Sequence, residues 1–226
     1  PEGTSVSYEN NSRTDVGTQE VTATITGSNY TTLVLTADLT ITPAEVQGIT
    51  FEDESFVYDG TAKSLTVDGD LPDGTSVSYS NNSRINVGTQ EVTATITGSN
   101  YTSLVLKADL TITPADITGI TFDDDSFVYD GTAKSLVITG TLPDGASVAY
   151  ADNGRTDVGT QEVTATITGS NFTTLVLTAD LTVTPADISD ITFEDGSFVF
   201  DGTAKSLTVE GDLPEGTSVS YENNSR

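Results

Sequence analysis

The stretch "EVTATITGSNYTSLVLKADLTIT", residues 91–113, decides how the chain folds. In its first arm Val92, Ala94 and Ile96 alternate with threonines. In its second arm Leu104, Leu106, Ala108, Leu110 and Ile112 share one parity. Side chains of a strand point alternately to opposite faces, so each arm is a strand with one apolar face. The Gly98-Ser99-Asn100-Tyr101 run between them suits a tight turn in which Gly and Asn tolerate positive φ.

Working outward, the same parity recurs in shorter pieces. "GITFED" sets Ile49 and Phe51 to one side, "SFVY" sets Phe56 with Tyr58, and "AKSLTV" sets Leu65 with Val67. After the "LPDG" turn signal, "SVSY" pairs Val77 with Tyr79. Six or seven short strands result, rich in the Thr, Val, Ile and Tyr that strands favour, and no stretch carries a helical period. Strands with one apolar face need a second apolar layer, which predicts an all-β chain of tandem immunoglobulin-like β-sandwich domains, antiparallel in their pairing and stacked end to end. A β-grasp repeat is the alternative, and it needs a helix across the sheet that the sequence does not supply.

The text is periodic. "FVYDGTAKSL" stands at 56–65 and 127–136 and returns as "FVFDGTAKSL" at 198–207, so that Asp59, Asp130 and Asp201 fall at a constant step of 71 residues. A period of that length is one small domain per repeat. The expected organisation is the C-terminal part of a repeat at 1–43, complete repeats at 44–114 and 115–185, and the N-terminal part of a repeat at 186–226. Neither half closes a sandwich alone. Either a longer array completes them, or the tail half of one molecule completes the head half of the next. Pro43, Pro114 and Pro185 mark the seams, and with no Gly/Ser-rich spacer there the repeats should meet with limited freedom.

Composition narrows the chemistry. The chain has neither Cys nor His, so disulfides, thiolate metal sites and the commonest general base are absent. Eight Lys plus Arg against 34 Asp plus Glu give a net charge of -26, which repels nucleic acid and anionic membrane. No apolar run is long enough to span a bilayer, so no membrane insertion is expected of this segment. No nucleophile, base and oxyanion donor recur together, and no enzyme activity is expected.

Three recurrent features invite chemistry. Lys63, Lys134 and Lys205 lie on the core parity of "TAKSLTV". One account packs their methylenes at the strand mouth and carries the ammonium to an acidic rim. The other is an isopeptide bond to an Asn or Asp, with loop residues such as Asn100 as the partner. The acidic runs "FEDES", "FDDDS" and "FEDGS" invite calcium, with Asp123, Asp124 and Asp125 as the best candidates, although neighbours on a strand point apart. Tyr58, Tyr129 and Phe200 read as core or rim aromatics rather than a carbohydrate platform. Asn29, Asn100 and Asn171 open Asn-x-Ser/Thr triplets, a sugar-attachment pattern that any Asn- and Thr-rich turn also produces.

Together, "FVYDGTAKSL", "LPDGTSVSY" and "VGTQEVTATITGSNYTSLVLKADLTITPA" resemble the bacterial MBG or YDG-type repeat of very large secreted surface proteins. The resemblance runs over all three periods. It implies a stalk or filament segment of an adhesin, extracellular at the bacterial cell surface, with no catalytic residues and no cofactor beyond possible calcium. Its implied partners are neighbouring repeats of the same chain or filament; the alternative is that the repeats themselves bind cell-surface glycans or glycoproteins, weakly and multivalently.

Overall fold

The structure is a computed structural model, and it describes residues 2–225. Among the described residues all regular structure is β. The first repeat supplies β1 (Thr4–Glu9), β2 (Gly17–Gly27) and β3 (Tyr30–Ile41). The second supplies β4 (Ala44–Glu45), β5 (Glu54–Val57), β6 (Thr75–Ser80), β7 (Gly88–Gly98) and β8 (Tyr101–Thr113). The third supplies β9 (Asp125–Val128), β10 (Ala146–Ala151), β11 (Gly159–Gly169) and β12 (Phe172–Thr184).

The chain divides into two compact units. The first runs to Ile117 and adds Pro143–Ser147 and Thr168–Thr174; the second holds Thr118–Leu142, Val148–Ile167 and the chain from Leu175 on.

In the first unit the hairpin read from the sequence is present. β7 and β8 pair antiparallel with Val92 opposite Ala108, Ala94 opposite Leu106 and Ile96 opposite Leu104. β6 extends the sheet on one side, and β4 and β5 share the far edge of β8. Val92, Ala94, Ile96 and Leu110 are wholly shielded from solvent. The second layer, residues 46–71, covers them. Leu65 with Phe51 closes over Val92 and Leu110, and Val46, Ile49 and Val67 close over Ile96. Burying a side chain the size of Leu65 contributes about 1.5–3 kcal/mol, so this layer holds the sheet's apolar face out of water. The result is a two-layer sandwich of the immunoglobulin-like kind.

Two details differ from the expectation. The pairing is not wholly antiparallel, since β4 and β5 both run parallel to β8, with Phe56 opposite Ile112. A parallel pair needs a long crossover, and the roughly fifty residues between β5 and the pairing end of β8 provide one. Furthermore, "GITFED" and "AKSLTV" make only single bridges, Thr50 to Asp68 and Lys63 to Arg84, instead of regular strands. Side chains replace the missing ladder. The Leu65 N–H donates to Asn82 Oδ1 at 2.7 Å and Asn82 Nδ2 donates to the Leu65 carbonyl at 2.7 Å, while the Val67 N–H donates to the Tyr79 hydroxyl at 3.0 Å. Buried main-chain groups must find partners, and here a carboxamide acts as a one-residue strand.

The second unit repeats the plan. Phe122 and Leu136 pack over Val163, Ala165, Ala179 and Leu181, and β9 lies parallel to β12. Asn153 and Tyr150 make the same bonds to Leu136 and Ile138. From 186 onward the chain keeps the extended course with a bridge between Thr192 and Glu210, and Asn224 and Tyr221 hold Leu207 and Val209. Among the described residues no strand is laid over this layer, and Phe200 is 94% exposed.

Candidate functional site

The most elaborated polar arrangement recurs where one repeat meets the next. Its receiving half is the loop Arg13–Gly17. The Arg13 guanidinium donates from Nε to the Asp15 carbonyl at 2.7 Å and from Nη2 to the Val16 carbonyl at 2.8 Å, which turns the Val16 N–H outward. Gln19, on β2, braces the same loop by donating to the Ser12 carbonyl at 2.9 Å and to the Asn10 carbonyl. Gly17 has φ +136°, and a Cβ there would collide with the guanidinium, so both the backbone angle and the space require glycine.

The inserting half is the β7–β8 turn. Asn100 Oδ1 accepts the Val16 N–H at 2.9 Å, and Nδ2 donates to Asp15 Oδ1 at 3.0 Å. The Asn100 carbonyl accepts the Ala44 N–H at 3.0 Å, just past the seam proline Pro43. One residue therefore joins the preceding repeat through its side chain and the start of its own repeat through its backbone.

The second seam is built the same way, within the first unit. Arg84 Nη2 donates to the Val87 carbonyl at 2.8 Å, Asn171 Oδ1 accepts the Val87 N–H at 2.9 Å, and Asn171 Nδ2 donates to Asn86 Oδ1 at 3.0 Å. The Ala115 N–H donates to the Asn171 carbonyl at 3.0 Å. Beside it Tyr58 meets Phe172 edge to face, with ring centroids 5.5 Å apart and planes at 83°, a geometry worth about 0.5–1.5 kcal/mol beyond its area.

The turn itself departs from the sequence reading. Neither Gly98 nor Asn100 takes a positive φ; Asn81, at φ 58°, is the non-glycine residue of this repeat's loops that does. Gly98 is needed because a Cβ would press on Thr75 and the Gly74 carbonyl, and Asn100 because its amide is used. The seam role of that amide, and the main-chain bonds of Asn82 and the Tyr79 hydroxyl, are what pattern reading missed. The only signal available was their exact recurrence at the 71-residue step.

The lysines and acidic runs singled out from the sequence lie apart from the seam bonds, whereas Asn100 and Asn171 make them. Lys63 Nζ pairs with Asp59 Oδ2 at 2.6 Å, reaches Thr61 Oγ1 at 3.0 Å and sits 5.9 Å from the centre of the Phe56 ring. Lys134 with Asp130 and Lys205 with Asp201 repeat the ion pair, at 2.6 and 2.7 Å. The ammonium, then the Thr hydroxyl and N–H, hold the Asp59 and Asp130 carboxyls well below the usual carboxylate range, and Asp201 to about 2. Asn100, considered above as a partner for these lysines, makes its bonds at the seam instead.

The three acidic neighbours are turned to separate donors. Asp123 accepts from the Thr121 hydroxyl at 3.1 Å, Asp124 from the Asp180 N–H at 2.7 Å and Asp125 from the Ser126 N–H at 2.8 Å. Among the described residues no three acidic side chains gather as a metal site would require. No helix of the described residues is long and apolar enough to cross a membrane.

Comparison with known proteins gives one family. No curated protein matches the chain in sequence. Among solved structures it is similar to a SusE-like surface-located polysaccharide-binding protein of Bacteroides thetaiotaomicron, at 11% identity and TM-score 0.25 over 85% of this chain and 56% of that one. It is also similar to immunoglobulin domains 1–5 of Sidekick-1, at 11% identity and TM-score 0.31 over 82% and 53%, and to extracellular domains 3–5 of Drosophila OTK, at 10% identity and TM-score 0.30 over 73% and 70%. The chain thus spans little more than half the length of the first of these. The profile of the MBG domain matches residues 1–45, 48–116 and 118–187 in tandem, and the chain belongs to the MBG domain family.

Proposed function

We propose that the chain is a non-enzymatic stalk segment of an extracellular bacterial surface adhesin, in which repeats of 71 residues extend a rod and present whatever stands at its tip. The observation that carries this reading is the seam. The same three contacts, from one Asn to a main-chain N–H, to a side-chain oxygen and to the start of its own repeat, are made at both junctions. A chain whose repeats served only as separate binders would not need its junctions braced twice in one way. The surplus of acidic side chains favours this role as well, since like-charged surfaces keep neighbouring stalks apart.

The competing reading is that the repeats themselves hold polysaccharide or glycoprotein. It draws support from the extracellular surface setting that the MBG resemblance implies. Titration of the purified chain against glycan and mucin panels separates the two. The stalk reading expects no saturable binding at any ligand concentration tested; saturable binding, with occupancy rising with the number of repeats, would replace it with the second.

A further inference from the structure

We infer that the loop Arg84–Gly88, with its copies at Arg13–Gly17 and Arg155–Gly159, is a docking socket specific for the Asn-tipped hairpin turn of an adjoining repeat, and that the carboxamide at that tip is the latch that fixes one repeat on the next. The inference rests on the stalk reading and adds the residue chemistry that would make the stalk stiff and set its order.

The socket shows why an amide is wanted. It offers a main-chain N–H donor, from Val16 or Val87, beside a side-chain oxygen acceptor, from Asp15 or Asn86. A carboxamide has one acceptor and one donor at the matching spacing, whereas a carboxylate only accepts and a hydroxyl is too short to reach both. The guanidinium of Arg13 or Arg84 donates to the loop's own Val16 or Val87 carbonyl, so the N–H donor of that valine is preset before the partner arrives. The partner is recognised by chemistry and position alone: a two-residue turn that ends in Asn followed by an aromatic, which Asn29-Tyr30, Asn100-Tyr101 and Asn171-Phe172 all satisfy. The same Nδ2 is the atom a sugar would occupy, so attachment of a glycan at Asn100 or Asn171 would displace the bond to Asp15 or Asn86.

The two seams differ in the group that accepts from the latch amide, which makes the inference testable. At the first the acceptor belongs to a carboxylate, Asp15; at the second it belongs to an amide, Asn86. Asn100→Asp therefore sets two carboxylates against each other, while Asn171→Asp lets Asn86 turn over and donate. Because the chain has no Cys, spin labels can be placed only where intended. Val34, Val105 and Val176 are equivalent, roughly half-exposed strand positions, and V34C/V105C spans the first seam while V105C/V176C spans the second. Pulsed dipolar spectroscopy on the full chain is expected to give one narrow distance population for each pair. Asn100→Asp and Asn100→Ala should broaden the first, and Asn171→Ala should broaden the second while Asn171→Asp leaves it narrow. Narrow distances in both Ala variants would overturn the latch and leave the stalk reading intact. Broad distances in the unsubstituted chain would overturn both. Equal broadening by Asn171→Asp and Asn171→Ala would overturn the amide specificity claimed here.

Discussion

At Asn153 the carboxamide holds both main-chain groups of Leu136, a residue 4% exposed, and beside it the Tyr150 hydroxyl takes the Ile138 N–H at 3.0 Å. Asn153→Ala strands a buried donor and acceptor and should cost about 1–3 kcal/mol; Tyr150→Phe should cost less, about 0.5–1.5 kcal/mol. Native-state hydrogen exchange resolved to the third repeat measures both, and unchanged protection there would show that the covering layer is held by packing alone. The Lys–Asp pairs make a different prediction. With Lys205 Nζ donating to it, the Asp201 carboxyl titrates at about 2, below its unfolded value near 3.9. Its stabilising contribution is therefore complete above the unfolded value and lost as pH falls through the folded one, and it is small because the pair is exposed. A carboxyl carbon titration by NMR should find this depressed value, and an ordinary one near 4 would contradict the pairing. Intact mass reports on the same lysines. A mass equal to the summed residues is expected of an ion pair, and a loss of water or ammonia per repeat would establish an isopeptide bond in its place.

Among the elements, β7, β8 and their copies were legible because the period-two placement of Val, Ala, Ile and Leu on one parity fits a sheet with one dry face. The layer over them was legible in its apolar residues but not in its form. Its ladder is replaced by Asn82 and Tyr79, and a sequence pattern shows which residues face inward but not which side chain substitutes for a missing strand. The seam was hidden for a related reason: Gly-Ser-Asn-Tyr reads as turn chemistry whether or not the Asn side chain reaches the neighbouring repeat. The value of the covering layer is open to direct comparison, since Ile167 lies wholly buried beneath it while the equivalent Ile25, on β2, is only half-buried. Ile167→Ala should cost about 2–5 kcal/mol, as a buried Ile does when the cavity cannot collapse, and Ile25→Ala distinctly less. The two are read as loss of exchange protection in β11 and in β2; equal losses would mean that residues 115–142 add little to the sandwich.

For the whole molecule, the proposed stalk role requires that braced seams turn a row of small sandwiches into a rod. A repeat of strands up to 13 residues long reaches about 40 Å with its loops, at roughly 3.3 Å per residue. On that proposal, roughly three such lengths set in line would give a radius of gyration of about 35 Å, against about 17 Å for a compact domain of the same size and about 50 Å for an unfolded coil. Small-angle scattering of the 226-residue chain at neutral pH and moderate salt is the direct measurement. A value near 35 Å, with the scattering profile of a rod, is the predicted result; a value near either of the other two would contradict the account.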